Sequence, residues 1–490
     1  MHPRLSDALH ACRTAIGADR VGTDRTALDS ANTATFATTA AAPAVLRPRD
    51  RTQVAACLGI AQEYRVPIYP VSLGRNWGYG SAVAPRDGCL LLSLADLNAI
   101  REFDADSGRV RLEPGVSFHQ LHTFLRQHGS GWQPPHTGSG AHTSVVGNVL
   151  ERGIGKGLYE DMVAHVLACE ALLPTGEVLR TSVDNAGPAP FGLLPQGNLA
   201  VVVDITLQLE REPRFNQLLT FGLGQGTDGL LRALAPLRAL AQRDGPRLQQ
   251  AFLNDYRIAS QVGRFPRDTH DGSQALPRAA LQSWLEPWQG AQWIGACTLW
   301  ADDATELDWR RQRLITTLDA LGLQPRVEAV LHSATQPLDD DGLRCAYWRK
   351  PFAMPTQPDL DRDRCGVVWL APVVPQQAQA LAGLLAQLEA TTLTHGLEPA
   401  MALRAGRVGA PRLILGLFYD RDRVGADNQV LACRAALQAV LHSAGLHCYR
   451  HTVLDPSASA DPTTQTLMAA LKRQFDPYNI LAPGRYHAHA

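Results

Sequence analysis

Ser72 to Gly80 reads SLGRNWGYG, three glycines in nine residues directly after the short apolar run Val66 to Val71. This stretch constrains the fold more than any other. A tight turn needs one or two glycines. Three let the backbone take positive φ and approach a neighbour closely. Successive N–H groups in such a loop can form a concave anion site, which suits a pyrophosphate. A second glycine-rich stretch runs from Pro134 to Gly157, PPHTGSGAHTSVVGNVLERGIGKG. It opens with Gly138 and Gly140, but Thr143 stands where GxGxxG needs its last glycine, so a Rossmann site is not indicated. On glycine content alone, two mobile surface loops remain the alternative.

The segments around these loops alternate strand and helix. Asp50 caps an amphipathic helix to Tyr64, with Val54, Cys57, Leu58 and Ala61 on one face. Val66 to Val71 reads as a strand, as does Gly88 to Leu94, and Arg109 to Gly115 alternates and stops at a turn. Ser117 caps a helix through His128. Ala164 to Leu173 and Gly176 to Thr181 form a hairpin, and Gly197 to Leu209 is a long β-branched strand. The alternation indicates α/β layering. From Glu210 the character changes. Residues 225–345 carry long Ala/Leu/Arg helices and several Trp residues. Gly366 to Pro375 and Pro411 to Tyr419 are strands, so the middle of the chain reads as a separate α+β domain.

Length supports that division, since 490 residues exceed the usual single domain. Lys plus Arg is 46 and Asp plus Glu is 47, so no basic surplus points to nucleic acid or an anionic membrane. No stretch approaches the roughly 20 apolar residues of a membrane span. The nine cysteines include no CxxC, and reduced buried thiols are expected. The N-terminal sequence lacks a charged segment followed by a long apolar run, so a cytoplasmic protein is expected. Asp339 to Asp341 reads as a solvated turn, and no metal site is expected.

Four motifs occur in order: SLGRNWGYG, VVGNVLERGIG, GNLAVVVDITLQL and DPYNILAPGR. Together they resemble the vanillyl-alcohol oxidase and p-cresol methylhydroxylase family of FAD-dependent oxidoreductases. The resemblance is clear over residues 43–211 and 366–490 and weak over 212–365. It implies an α+β fold: an FAD-binding domain of two small α/β subdomains, with an inserted cap domain built on an antiparallel sheet with flanking helices. The FAD-binding domain would comprise residues 1–211 completed by 461–490, and the cap residues 212–460. The resemblance places Ser72, Gly74, Arg75, Asn76 and Gly78 in the first FAD loop. Gly138, Ser144, Gly147, Asn148, Gly153 and Gly155 fall in the second, with Val201 at the adenine end. Arg485 matches a basic residue near the flavin ring, where a cation would favour the reduced anion.

In the phenol-oxidising members a tyrosine in the GYG and a C-terminal Tyr-Arg pair bind the substrate's phenolate. Tyr79, Tyr449 and Arg450 match those positions. A free phenol ionises near pH 10, and a fixed guanidinium with two hydroxyl donors favours the anion. The phenolate then eases hydride loss from the para benzylic carbon to flavin N5, leaving a quinone methide. His136, after Pro134-Pro135, has a suitable pKa for a base at that carbon. The resemblance thus implies a 4-substituted phenol as substrate and molecular oxygen or an electron-transfer protein as acceptor, in a possible homodimer. The alternatives are a same-fold enzyme for a non-phenolic alcohol, lactone or amine, or an inactive flavin-binding protein.

Two departures from the family matter. Pro355 to Gly366, where many members carry a His or Tyr tether, holds neither, so non-covalent FAD is expected. Phenol-oxidising relatives carry paired histidines where this chain has Ala410-Pro411-Arg412-Leu413. Arg412 would bind a carboxylate or another anionic substituent if it points inward, or face solvent if outward.

Overall fold

The computed structural model describes residues 4–129, 131–155, 159–187, 189–333, 338, 340–405, 409–455 and 461–486. Lys156 and Gly157, the end of the second glycine-rich stretch, and Asp339 lie outside them.

Three sheets organise the chain. The first has the order Val21–Gly22, Val45–Leu46, Leu90–Ser93, Ile68–Val71, with the last three strands parallel. The helix Arg51–Tyr64 packs on it through Val54, Cys57, Leu58 and Ala61, all fully buried. Asp50 caps this helix by accepting from the Gln53 N–H at 2.9 Å. Residues from the far end of the chain complete this core. Ile480 O accepts from the Ile68 N–H, and Ala482 N–H donates to Ile68 O, each at 2.8 Å. The second sheet is antiparallel: Ile100–Asp104, Arg109–Leu112, Val201–Gln208, Val166–Leu172, Val178–Ser182. The helix Phe118–Gln127, capped by Ser117, shares its core.

The third sheet is antiparallel and has eight strands. Its spine runs Phe215–Gly222, Trp293–Ala301, Leu248–Asn254, Ala400–Arg404, Arg412–Asp420, Cys365–Leu370. Its two faces serve different ends. Leu219, Phe252, Leu403, Leu415 and Leu417 bury into a core shared with the helices Asp228–Asp244, Ala304–Asp319, Ala378–Thr394 and Ala426–Ser443. Their sequence neighbours Leu218, Leu253, Ala402 and Ile414 point the other way and line a cavity. That is the two-residue period of a strand. Leu248–Asn254 and Trp293–Ala301 lie where the sequence reads as helical. Burial alternates along Leu248–Asn254, but the residues facing the cavity include the apolar Ala251 and Leu253, so the polar-apolar alternation that marks a strand is lost.

All nine cysteines are free thiols, eight of them buried. Among the described residues no helix is long and apolar enough to cross a membrane.

Candidate active site

One cavity of about 940 Å³ lies between the two glycine-rich loops and the uncovered face of the eight-stranded sheet. Ser72, Gly74, Arg75 and Asn76 line it from the first loop, and Gly138, Ser144, Gly147, Asn148 and Gly153 from the second. Among the described residues, the N–H groups of Leu73, Gly74, Arg75 and Asn76 donate to no protein acceptor. Asn148 Oδ1 is buried without a partner. Unfilled donors on a glycine loop fit the pyrophosphate of FAD, and an orphaned buried amide oxygen calls for a ligand donor. The residues present therefore fit the cofactor.

The glycines themselves have a second use. A Cβ on Gly78 would stand 2.1 Å from Trp369 Cδ1, and one on Gly80 2.5 Å from Val453 Cγ1. Gly78 has φ 79° and Gly80 φ 130°. Space read from the sequence as room for a pyrophosphate is filled here by the chain's own side chains. Trp77 Nε1 and Ser81 Oγ donate to Asp361 at 2.9 and 2.8 Å, and burial pushes the Asp361 carboxyl up to about 7. Arg75 Nη1 donates to His142 O at 3.0 Å, holding the two loops together.

Tyr79, Tyr449 and Arg450 meet in this cavity although some 370 residues separate the first from the others. The Arg450 guanidinium lies 3.9 Å from the Tyr79 ring centroid. Its Nη2 donates to Asn76 Oδ1 at 2.8 Å, and its Nε is buried without a partner. Burial pushes both tyrosines up, against the opposing charge of Arg450. They therefore remain neutral donors.

Arg485 is buried but does not line the cavity. Its Nη2 reaches Glu151 Oε2 at 3.1 Å, and Nη1 donates to His451 O at 3.0 Å. Tyr486 also donates to Glu151. Arg450 Nη2 is 3.8 Å from the same carboxylate. Burial alone would raise Glu151, but Arg485 and then Arg450 hold its carboxyl below its ordinary value. The cation expected to act on the flavin from Arg485 is therefore matched by an internal anion. Two guanidiniums and one carboxylate leave one positive charge, carried toward the cavity by Arg450.

Other expected residues stand apart. His136 is half-buried and does not line the cavity; neither do Gly78, Gly155 and Val201. Gly155 instead lets Tyr159 O approach, at 1.6 Å from where a Cβ would sit. Arg412 turns toward the site, its guanidinium 5.4 Å from the Tyr449 ring centroid, but lies outside the cavity lining. Cys365, the nucleophile of the expected tether segment, is fully buried, and burial pushes its thiol up.

Three residues in the site were not anticipated. Glu151 lies inside the quoted VVGNVLERG, where a charge among glycines and aliphatics was a usable signal. Arg257 and Arg404 both line the cavity. Arg404 ends the strand Ala400–Arg404, directly across from Arg412 in register. Among the described residues no histidine lines the cavity.

A family model described as an FAD binding domain matches residues 42–182. The 1'-carboxy-chondrochloren decarboxylase of Chondromyces crocatus is 35% identical, over 98% of this chain and 97% of that one. The 4-cresol dehydrogenase [hydroxylating] flavoprotein subunit of Pseudomonas putida is 25% identical, over 88% and 85%. The solved structure of p-cresol methylhydroxylase with substrate bound matches with a TM-score of 0.85 at 21% identity, over 100% of this chain and 98% of that one. A 4-ethylphenol oxidase from Gulosibacter chungangensis in its isoeugenol complex also gives 0.85, at 19% identity and the same coverage.

Proposed function

The chain belongs to the vanillyl-alcohol oxidase and p-cresol methylhydroxylase family of FAD-linked oxidoreductases, and from that premise we propose that it oxidises a para-substituted phenol at its benzylic carbon. One observation carries the reading: the Arg450 guanidinium stacked on Tyr79 beside Tyr449, in the same cavity as the cofactor loops. FAD is the cofactor, and when bound it supplies a two-electron acceptor at N5.

The chain's own residues do the rest. Ser72 to Asn76 and the Gly138 to Gly153 stretch hold the cofactor's phosphates. We read the cofactor as non-covalent, because Cys365 is shut in the core. Residues 1–211 with 461–490 form the FAD-binding domain and 212–460 the cap. Tyr79 and Tyr449 stay protonated and donate to the substrate oxygen, and Arg450 supplies the fixed charge that makes phenolate the bound form. The phenolate's electron density moves through the ring to its para position as a hydride leaves the benzylic carbon attached there, and the organic product of that loss is a quinone methide. Molecular oxygen or an electron-transfer protein reoxidises the enzyme.

A specific outcome has further support. Decarboxylation needs no base at the benzylic carbon, and no histidine lines the cavity among the described residues. The Chondromyces relative is named a decarboxylase. Where the carbon next to the benzylic one carries a carboxylate, its C–CO₂ bond breaks. That electron pair becomes the new C=C, the ring regains its phenolate, and carbon dioxide leaves.

Anaerobic absorbance of the holoenzyme tests the phenol reading. Flavin absorbance should bleach with 4-propylphenol and not with its methyl ether. Bleaching by both, or by the ether alone, would contradict it.

A further inference from the structure

The uncovered face of the eight-stranded sheet is apolar except at one place. Leu218, Ala251, Leu253, Ala402 and Ile414 line the cavity, and among them stand Arg257 and Arg404. Arg257 comes from the helix Asp255–Val262, whose Asn254 cap accepts from the Arg257 N–H at 3.0 Å. Its side chain is 8% exposed, and its Nε and Nη1 are buried without a hydrogen-bond partner. The guanidinium sits 5.3 Å from the ring centroids of both Trp369 and Phe418. Those faces offset part of its desolvation but fill none of its N–H donors.

The Arg404 side chain has no hydrogen bond or ion pair among the described residues. Burial lowers it, and repulsion from Arg257 lowers it further, with Glu160 and Tyr449 opposing. It also faces Arg412 across the strand pair, and like charges there are destabilising. A buried cation without an anion is costly, and an unfilled guanidinium fork fits a carboxylate edge-on. Neither guanidinium has a carboxylate hydrogen-bonded to it among the described residues, and each presents a planar fork of donors.

Position fixes whose carboxylate it is. Arg412 is next to Tyr449, and Arg404 lies one strand farther, about 4.8 Å on. The pair therefore shares the cavity with the phenol site and lines it from the side of the eight-stranded sheet. The unfilled loop N–H groups that fit a pyrophosphate belong to the glycine loops instead. We propose that Arg257 and Arg404 bind a carboxylate carried on the substrate's para side chain, so that the substrate class is a 4-hydroxyphenyl acid; the assignment of this carboxylate to a phenol rests on the reading above.

Calorimetry on anaerobic holoenzyme with its flavin reduced beforehand tests this, because neither ligand is then consumed. 3-(4-Hydroxyphenyl)propanoate should bind about 30-fold or more tightly than 4-propylphenol. Arg257→Gln and Arg404→Gln should each remove most of that preference, leaving the affinity for 4-propylphenol unchanged, and Arg404→Lys should restore part of it. Flavin content per chain should not change. Equal affinity for the two ligands in the unmutated enzyme would overturn the proposal. So would a preference that survives both substitutions, or variants that lose flavin while keeping it. The methyl ethers separate the two readings. If the ether acid still outbinds 4-propylanisole while neither phenol gains from its hydroxyl, the carboxylate site stands and the phenol reading falls.

Discussion

Two pairs of arginines, one reaching the cavity through Arg450 and the other lining it through both members, are treated oppositely by the fold. Arg450 and Arg485 share the carboxylate of Glu151, and between them also donate to Asn76, His451 O and Tyr486. Neither Arg257 nor Arg404 is ion-paired with a carboxylate among the described residues; Arg257 lies between two aromatic rings, and its charge repels that of Arg404. The first pair is built into the structure and shapes the phenol end. The second is left incomplete, as a recognition site is before its ligand arrives.

The comparison can be broken in several places. The largest effect is expected at Arg450. Arg450→Met should lower the rate of flavin reduction by a phenol by about 10²–10³-fold, read by anaerobic stopped flow. A rate within tenfold of the unmutated enzyme would remove Arg450 from the phenolate site. Next is Glu151→Gln, which leaves two buried cations without their anion. It should cost about 3 kcal/mol of stability, seen as a lower Tm. The sign with pH follows from the depressed folded pKa. Glu151's contribution is fully present above its ordinary value of 4.5 and is lost as pH falls through the lower folded value. The substitution should therefore flatten the acid limb of the stability profile, and an unchanged limb would mean the pair contributes little.

A smaller effect is expected where the two halves touch. Trp369 lies against Arg257 and also against Gly78. Gly78→Ala adds a Cβ into Trp369 at φ 79°. It should destabilise by about 2 kcal/mol and also weaken carboxylate binding, whereas Gly74→Ala should leave that binding alone. The smallest is Tyr79→Phe, which removes one donor and should reduce phenol oxidation about tenfold. A tenfold loss of affinity for the methyl ether as well would show a packing role instead.

Much of the first half of the site was legible because its signals are local. Asp50 and Ser117 cap helices where their types predict, and the glycine loops announced a close approach. The meeting of Tyr79, Tyr449 and Arg450 came from a resemblance, since no local pattern links residues so far apart. Arg257 and Arg404 were hidden for a physical reason. They lie on or beside strands whose second face lines an apolar cavity, so Leu248–Asn254 shows no clear polar-apolar alternation, and an arginine facing a cavity looks like one facing solvent. Arg412 was the visible representative of that face. Its register partner Arg404, one strand over, is the one that lines the cavity. Arg485 shows the same limit: sequence gives a charge but not the Glu151 that neutralises it.

The central claim is that this cavity binds phenols as anions. 4-tert-Butylphenol has no benzylic hydrogen and can be titrated into oxidised holoenzyme at pH 8 without reaction. The account predicts a difference spectrum with the phenolate band, about two pH units below the free phenol's ionisation near 10. A saturating titration that shows only the neutral phenol spectrum would contradict it.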